Sequence, residues 1–270
     1  GIFIFGTIIG SFLNVVILRY GKISLNGRSI CPSCKETLRW FELVPVLSFI
    51  FLRGKCQRCH KKISWQYPLV EIVTGTLFLS IFNFQFLIFK QFPIFNFQLL
   101  NLILLWLIFS LLIIIFVYDL YHKIIPDCLV FLFSGLALLN FLILDFQGFG
   151  FYLTNNLWAG PILAFPFAFL WFISGGRWMG LGDAKLALGI GFFLGLVEGS
   201  SALILGVWIG AVVGLFLIAL SKVMKGRQLF FKGKNFTIKS ELPFAPFLII
   251  GTLLVFFFGW DVWGLGSFLL

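Results

Sequence analysis

Residues 99–118 read LLNLILLWLIFSLLIIIFVY, an apolar run without a charged side chain. A helix of about 20 apolar residues is long enough to cross the hydrocarbon core of a bilayer. The whole chain has the same character, because 60% of its 270 residues are hydrophobic and only 11% are charged. A soluble domain has about a quarter of its residues charged. The composition therefore excludes a soluble globular fold and predicts an integral membrane protein.

Further apolar runs of similar length predict an all-α fold, a polytopic bundle of about eight transmembrane helices. The strands of a β-barrel are shorter and alternate apolar with polar residues, which these runs do not. Besides 99–118, the predicted spans are Ile2–Leu18, Pro68–Phe89, Cys128–Leu144, Asn156–Ile173, Ser201–Ser221, Pro243–Gly259 and a short one, Leu186–Val197, extended by Gly180–Lys185. Because residue 1 is Gly and an apolar run begins at once, we expect preceding residues to be missing.

Basic residues are concentrated in two segments, 19–67 with ten Lys and Arg and 222–241 with six. The positive-inside rule assigns such segments to the cytoplasmic side of the membrane. With eight spans both segments fall on that side, and of the 20 basic residues only Lys90 lies outside. The expected partner of this charge is the anionic lipid bilayer. No nucleic acid is expected, because no aromatic and basic surface accompanies the charge.

The segment 19–67 contains two Cys-x-x-Cys pairs, Cys31 with Cys34 and Cys56 with Cys59, separated by 21 residues. Two such pairs supply the four thiolates of a tetrahedral zinc site. With four sulfur ligands the Zn²⁺ would be structural, since no position is open for a substrate. Four ordinary cysteines or two disulfides are the alternatives, and a cytoplasmic location argues against disulfides.

Two further residues bear on this site. His60 directly follows the second pair and is a competing ligand. Cys128 stands alone inside a predicted span, where we expect it to be a small buried apolar residue.

Acidic residues in or beside membrane helices are costly and are therefore candidates for function. Asp119 directly follows the run at 99–118, where the helix C-terminus disfavours a carboxylate, and Lys123 is its simplest partner. Asp183 ends the sequence Gly180-Leu-Gly-Asp183 and either caps a helix or meets Asp119 on the cytoplasmic side. Two facing carboxyl groups can share one proton and act as in aspartic proteases. Asp127 precedes a predicted span, and a structural role as a helix N-cap explains it well.

Seven motifs follow one another along most of the chain. They are Gly10-Ser-Phe-Leu-Asn-Val-Val-Ile-Leu-Arg19, the two cysteine pairs, Leu52-Arg-Gly-Lys-Cys56, Tyr67-Pro-Leu-Val-Glu71, the stretch from Asp119 through Ile125-Pro126-Asp127, and Met179-Gly-Leu-Gly-Asp183-Ala-Lys185. In this order they resemble the bacterial type IV prepilin peptidase family of leader peptidases and N-methyltransferases.

The resemblance implies an aspartic endopeptidase of the inner membrane whose active site faces the cytoplasm. Its catalytic residues would be Asp119 and Asp183. Beside the resemblance, we expect Asp127 and Lys185 to support them, by positioning or by tuning their pKa. The implied substrates are type IV prepilins or pseudopilins, from which a basic leader peptide is removed. A second implied activity is methylation of the new N-terminal amine from S-adenosylmethionine.

The implied division of labour has three parts: residues 1–18 as the first span, 19–67 as a cytoplasmic zinc-binding and methyltransferase region, and 68–270 as the membrane-embedded peptidase. Zn²⁺ would be held by Cys31, Cys34, Cys56 and Cys59. Glu42 and Glu71 match acidic positions of the family and are candidates for a role in methylation. The alternative function is an ion- or proton-coupled transporter or pilus-assembly scaffold with a zinc knuckle, because glycine-flanked broken helices are also found in transporters.

Overall fold

The computed structural model describes residues 1–21, 27–88, 95–146, 153–223 and 242–264. Over these residues the protein contains nine α-helices, one short 3₁₀ helix at Trp40–Leu43 and no β-strand. The α-helices are α1 Ile2–Arg19, α2 Leu47–Phe51, α3 Gln66–Ile88, α4 Phe95–His122, α5 Asp127–Phe146, α6 Leu153–Ser174, α7 Leu181–Leu194, α8 Leu196–Val223 and α9 Ala245–Phe258. The predicted all-α class is confirmed.

Five helical segments are long and apolar enough to cross a membrane. They are Ile2–Arg19, Gln66–Gln85, Leu99–His122, Leu157–Ser174 and Leu196–Ala219, and two shorter apolar segments are Asp127–Ile143 and Ala245–Phe258. The protein is therefore a multi-pass membrane protein, and the count of eight spans stays a prediction. Lys90 and residues 224–241 of the second basic segment lie outside the described residues.

The short span expected at Leu186–Val197, with its extension Gly180–Lys185, ends earlier in the structure. Helix α7 starts within the extension at Leu181 and ends at Leu194, and α8 begins directly after Gly195. Gly195 has a φ of 83°, a left-handed conformation that glycine adopts at no steric cost. The apolar pattern did not reveal this break because leucines flank the glycine on both sides.

The chain divides into two compact units, Gly1–Ile114 and Ile115–Leu270. In the first unit α1 packs along α3. Asn14 of α1 is almost fully buried, and its Nδ2 donates a hydrogen bond of 3.2 Å to the backbone oxygen of Tyr67 in α3. This polar contact joins the two helices at the end where the cysteine-bearing segment connects them.

In the second unit the central helix is α7. It packs against α5 and α6 and also contacts α8 and α9, while α8 and α9 pack against each other. The buried residues of α7 are Asp183, Ala184, Leu186, Ala187, Gly189, Ile190 and Gly191, most of them small. Small side chains let neighbouring backbones approach closely, which is how helices associate where lipid offers no hydrophobic driving force. As a result the acidic first turn of α7 is enclosed by its neighbours.

A buried hydrogen bond in the first unit offers a test of this packing. Gln85 Nε2 donates to Asn101 Oδ1 at 2.6 Å, and both side chains are buried. Replacing Asn101 with Leu leaves the Gln85 amide unpaired, so we expect the free energy of unfolding to fall by about 1–2 kcal/mol. The double variant Gln85→Leu/Asn101→Leu removes both polar groups and is expected to regain most of that loss. Thermal unfolding in detergent measures both values, and equal stability of the two variants would contradict the contact.

Candidate active site

Asp119 lies in the last turn of α4 and is buried, with 4% of its surface exposed. Lys123 follows the helix and is close enough for Coulomb attraction. The structure adds a second partner, because the backbone N–H of Ala245 donates a hydrogen bond of 3.2 Å to Asp119 Oδ2. Ala245 is the first residue of α9, so the carboxylate lies at the positive end of that helix dipole. This interaction offsets its unfavourable position at the end of α4.

Asp183 occupies the first turn of α7, and it is also buried. Its backbone N–H donates to the backbone oxygen of Gly180, the N-cap of the helix. An acidic side chain is stabilised at this position by the helix dipole. Gly182 allows α7 to approach the connection between α4 and α5, because a Cβ there would lie only 2.9 Å from Cβ of Ile125. A side chain at position 182 would therefore move Asp183.

The structure brings Asp119 and Asp183 together in the second unit. Their carboxyl groups lie within range of mutual Coulomb repulsion although the residues are far apart in sequence. Each carboxyl group is buried at the N-terminus of a helix, α9 for Asp119 and α7 for Asp183. Two adjacent negative charges are costly where little water screens them, so such a pair is most stable when it holds one proton.

Asp127 and Lys185, the two supporting residues expected from the sequence, form an ion pair. Lys185 Nζ lies 2.7 Å from Asp127 Oδ1 and 5.3 Å from the centre of the Phe131 ring. Asp127 begins α5, as expected of a residue at a helix start, and its carboxylate binds across to α7. The pair therefore links α5 to α7 two residues beyond Asp183.

The four cysteines converge in the first unit. Their Sγ atoms all lie within 4.8 Å of one another, and those of Cys31 and Cys59 are 3.9 Å apart. Sulfurs bound tetrahedrally at about 2.3 Å from Zn²⁺ lie about 3.8 Å apart, so this cluster could bind zinc. All four thiols are free, which argues against the disulfide alternative.

The two thiols of the first pair differ in pKa. Burial raises the pKa of the Cys31 thiol, but hydrogen bonds from the backbones of Cys34 and Ser33 and with neighbouring thiols lower it to about 7. The backbone of Glu36 lowers the pKa of Cys34, but burial and the neighbouring thiols together raise it to about 11. Both cysteine pairs have the same turn. The backbone N–H of Lys35 donates to the backbone oxygen of Cys31 at 2.9 Å, and that of His60 donates to the backbone oxygen of Cys56 at 3.0 Å. Within the described residues only the four cysteines converge, and the side chain of His60 is not part of the cluster.

Glu42 and Glu71 both accept hydrogen bonds from backbone N–H groups. Glu42 Oε2 accepts from Arg39 at 2.6 Å, and Glu71 Oε2 accepts from Val46 at 2.7 Å. Val46 has a φ of 61°, which is rare for a β-branched residue, and the buried carboxylate of Glu71 holds it. Both acids therefore shape the segment between the cysteine pairs, and their role in methylation stays a prediction.

Cys128 is exposed, so the expectation of a buried residue is wrong. It lies in the first turn of α5, one residue before the buried stretch that begins at Leu129 and Val130. An apolar run identifies a span but does not show which side of its helix faces other helices. Cys128 also lies outside the converging cysteine cluster.

Two family models match the chain. The bacterial peptidase A24 N-terminal domain matches residues 4–85, and the type IV leader peptidase family matches residues 106–218. A protein of Bacillus subtilis (strain 168) named prepilin leader peptidase/N-methyltransferase is 32% identical over 265 residues, which cover 96% of this chain and 93% of that protein. The chain belongs to the type IV leader peptidase family.

Further relatives of this leader peptidase carry the same name. The protein of Legionella pneumophila is 29% identical and that of Aeromonas hydrophila 28%, with 95% and 99% of this chain and 90% and 94% of those proteins covered. No solved structure matches the chain. The resemblance indicated by the ordered motifs, and with it the prediction of an enzyme of this family, is confirmed.

Two features of the site were not found from the sequence. The first is the N-terminus of α9, whose Ala245 N–H binds Asp119; the Pro246 that follows, typical of the first helical turn, was the available signal. The second is the contact between Gly182 and Ile125, which depends on how α7 packs and has no local signal. Both of these features position the two aspartates.

The cysteine cluster predicts a defined metal content. We expect one Zn²⁺ per chain in the purified leader peptidase, and the variant Cys56→Ser to lose it, because three sulfurs bind the ion less tightly than four. The matched control is Cys128→Ser, which removes a thiol outside the cluster and should retain the metal. Metal analysis by mass spectrometry measures both, and a wild-type protein without zinc would contradict the assignment.

Proposed function

We propose that this protein is a membrane aspartic endopeptidase that removes the leader peptide of type IV prepilins or pseudopilins. The observation that carries the proposal is the proximity of Asp119 and Asp183, each buried at a helix N-terminus, in a member of the leader peptidase family. The name prepilin leader peptidase borne by relatives that match nearly the whole chain supports the choice of substrate. These matches do not favour the transporter or scaffold alternative.

In the proposed mechanism the two aspartates share one proton and hold a water molecule between them. The ionised member takes a proton from this water, whose oxygen forms a bond with the carbonyl carbon of the scissile peptide. The protonated member donates a hydrogen bond to the carbonyl oxygen. When the carbon–nitrogen bond breaks, the pair returns a proton to the leaving amine. No covalent intermediate with the enzyme is formed.

We further infer that Asp127 and Lys185 are positioning residues. Their ion pair fixes the first turn of α7 against α5, and Asp183 is part of that turn. We also propose that residues 68–270 form the membrane-embedded peptidase region, and that its active site and the basic segment 19–67 both face the cytoplasmic side of the inner membrane. The excess of Lys and Arg in that segment supports this orientation.

A second proposed activity is methylation of the newly exposed N-terminal amine from S-adenosylmethionine, assigned to the region 19–67. The match of residues 4–85 to the N-terminal domain of the family and the double name of the relatives support it. The cysteine cluster in this region would hold a structural Zn²⁺. A segment with few buried apolar residues gains much of its folding energy from such an ion.

The aspartate pair predicts the effect of removing either charge. Asp119→Asn and Asp183→Asn should each lower the rate of leader cleavage by roughly 10²–10⁴-fold, because each variant removes an acid–base group. The control is Asp261→Asn, since Asp261 follows the C-terminus of α9 and lies about 20 Å from the end that contacts Asp119. Prepilin processing in membranes measures the rates. If either Asp119→Asn or Asp183→Asn cleaves the leader at the wild-type rate, the proposed mechanism is excluded.

The glycines of the motif at 180–183 allow a matched comparison. Gly182→Ala places a methyl group 2.9 Å from Cβ of Ile125 and should lower cleavage at least tenfold by displacing Asp183. In Gly180→Ala the nearest atom to the new Cβ is Asp183 Oδ2 at 3.8 Å, an ordinary contact, and activity should be retained. The initial rates of both purified variants test this, and the opposite order of activities would contradict the packing argument.

The two proposed activities should be separable. Asp119→Asn should fail to cleave a prepilin yet still transfer a labelled methyl group to a prepilin whose leader has already been removed, because the aspartate acts only on the peptide bond. Counting the label on the cleaved substrate measures the transfer. Absence of label with the wild-type protein would rule out the methyltransferase activity without affecting the peptidase proposal.

A further inference from the structure

A groove of about 520 Å³ lies in the first unit, between the segment around the second cysteine pair and the start of α3. Three of its lining residues are cationic, Arg53, Lys55 and Lys62, and the others include Trp65 and apolar residues of α3. Its volume is in the range of sites that bind small molecules. Neither of the two acids proposed for peptide cleavage, Asp119 and Asp183, lines this groove.

Among the described residues, no acidic side chain forms an ion pair with a cation of the groove. Lys55 and Lys62 pair across an antiparallel β-bridge, which places their side chains on the same face about 5 Å apart. Like charges in this arrangement destabilise a fold. No lining residue is acidic, and neither of the ion pairs formed by the described residues involves Arg53, Lys55 or Lys62. The groove therefore has an excess of three positive charges and favours an anion.

The groove also lies where a membrane surface is expected. Ile72 contributes to its wall and belongs to α3, whose residues Gln66–Gln85 are apolar enough to cross a bilayer. Trp65 directly precedes α3 and is 69% exposed, and tryptophan is typical of the boundary between lipid and water. Phe51, at the end of the neighbouring α2, is 80% exposed. A ligand in this groove would therefore contact water at one end and hydrocarbon at the other.

We propose that this groove binds an anionic phospholipid. Its phosphate would be held by Arg53, Lys55 and Lys62, and its acyl chains would follow the exposed apolar side chains of α3, beginning at Ile72. Arginine and lysine are the usual ligands of phosphate in proteins. S-Adenosylmethionine fits less well, since its positively charged sulfonium would be repelled, and a basic leader peptide would be repelled in the same way. Free phosphate would leave the apolar part of the groove unused.

Lipid binding to the full-length protein tests the proposal. Native mass spectrometry from mixed micelles would count bound phosphatidylglycerol and phosphatidylcholine, and we expect the anionic lipid to bind preferentially. In Lys55→Gln/Lys62→Gln its affinity should fall by about 30-fold, because each lysine near an anionic headgroup contributes about a factor of five. The matched control is Lys35→Gln/Lys61→Gln, which removes the same charge from the same segment but outside the groove, and it should retain the preference.

Three results would overturn the proposal: no preference for the anionic lipid in the wild type, an equal loss in the control variant, or displacement of the lipid by millimolar inorganic phosphate. The last result would assign the groove to a free anion. Zinc content serves as the measure of folding for every variant. If Lys55→Gln/Lys62→Gln loses zinc, the variant Arg53→Gln is used in its place, and its affinity for the anionic lipid is expected to fall about fivefold. The experiment measures lipid binding alone, so its outcome is independent of whether the protein cleaves prepilins.

Discussion

Two carboxyl groups buried next to each other in an apolar bundle need positive partners or a shared proton. In this protein a helix N-terminus lies at each group: the Ala245 N–H of α9 at Asp119, which Lys123 also attracts, and the first turn of α7 at Asp183. Backbone N–H groups supply partial positive charge without adding a base that would take the proton. This environment is compatible with the single shared proton that the proposed mechanism requires.

The need to hold this pair explains the packing around α7. The helix is short, rich in small residues and enclosed by α5, α6, α8 and α9, so its first turn has little freedom to move. Gly182 permits the closest approach, and the ion pair between Asp127 and Lys185 connects α7 to α5 just beyond Asp183. The proposed hydrolysis by two acids requires both within reach of one water molecule, so under that proposal activity depends on how accurately these helices pack.

The cysteine-bearing segment of the first unit is stabilised in a different way. Within residues 27–65 regular structure is limited to a 3₁₀ helix, the five-residue α2 and two isolated bridges, and two hydrogen-bonded turns direct four sulfurs to one point. The carboxylates of Glu42 and Glu71 hold backbone N–H groups between the two turns. A bound Zn²⁺ and the proposed lipid headgroup would each add order to such a segment, the ion among its sulfurs and the headgroup at its surface.

The sequence by itself determined the class of fold, the family and the identity of the cysteine cluster, because apolar length, ordered motifs and Cys-x-x-Cys spacing are local signals. It also pointed to Asp119 and Asp183 as a pair. Only the tertiary structure decided that the N-terminus of α9 lies against Asp119, that Gly182 contacts Ile125, and that α7 ends just before Gly195. It also reversed the expected burial of Cys128. These features depend on which helix faces which, and in a membrane chain the uniform hydrophobicity of all helix faces removes the periodic signal that would reveal it.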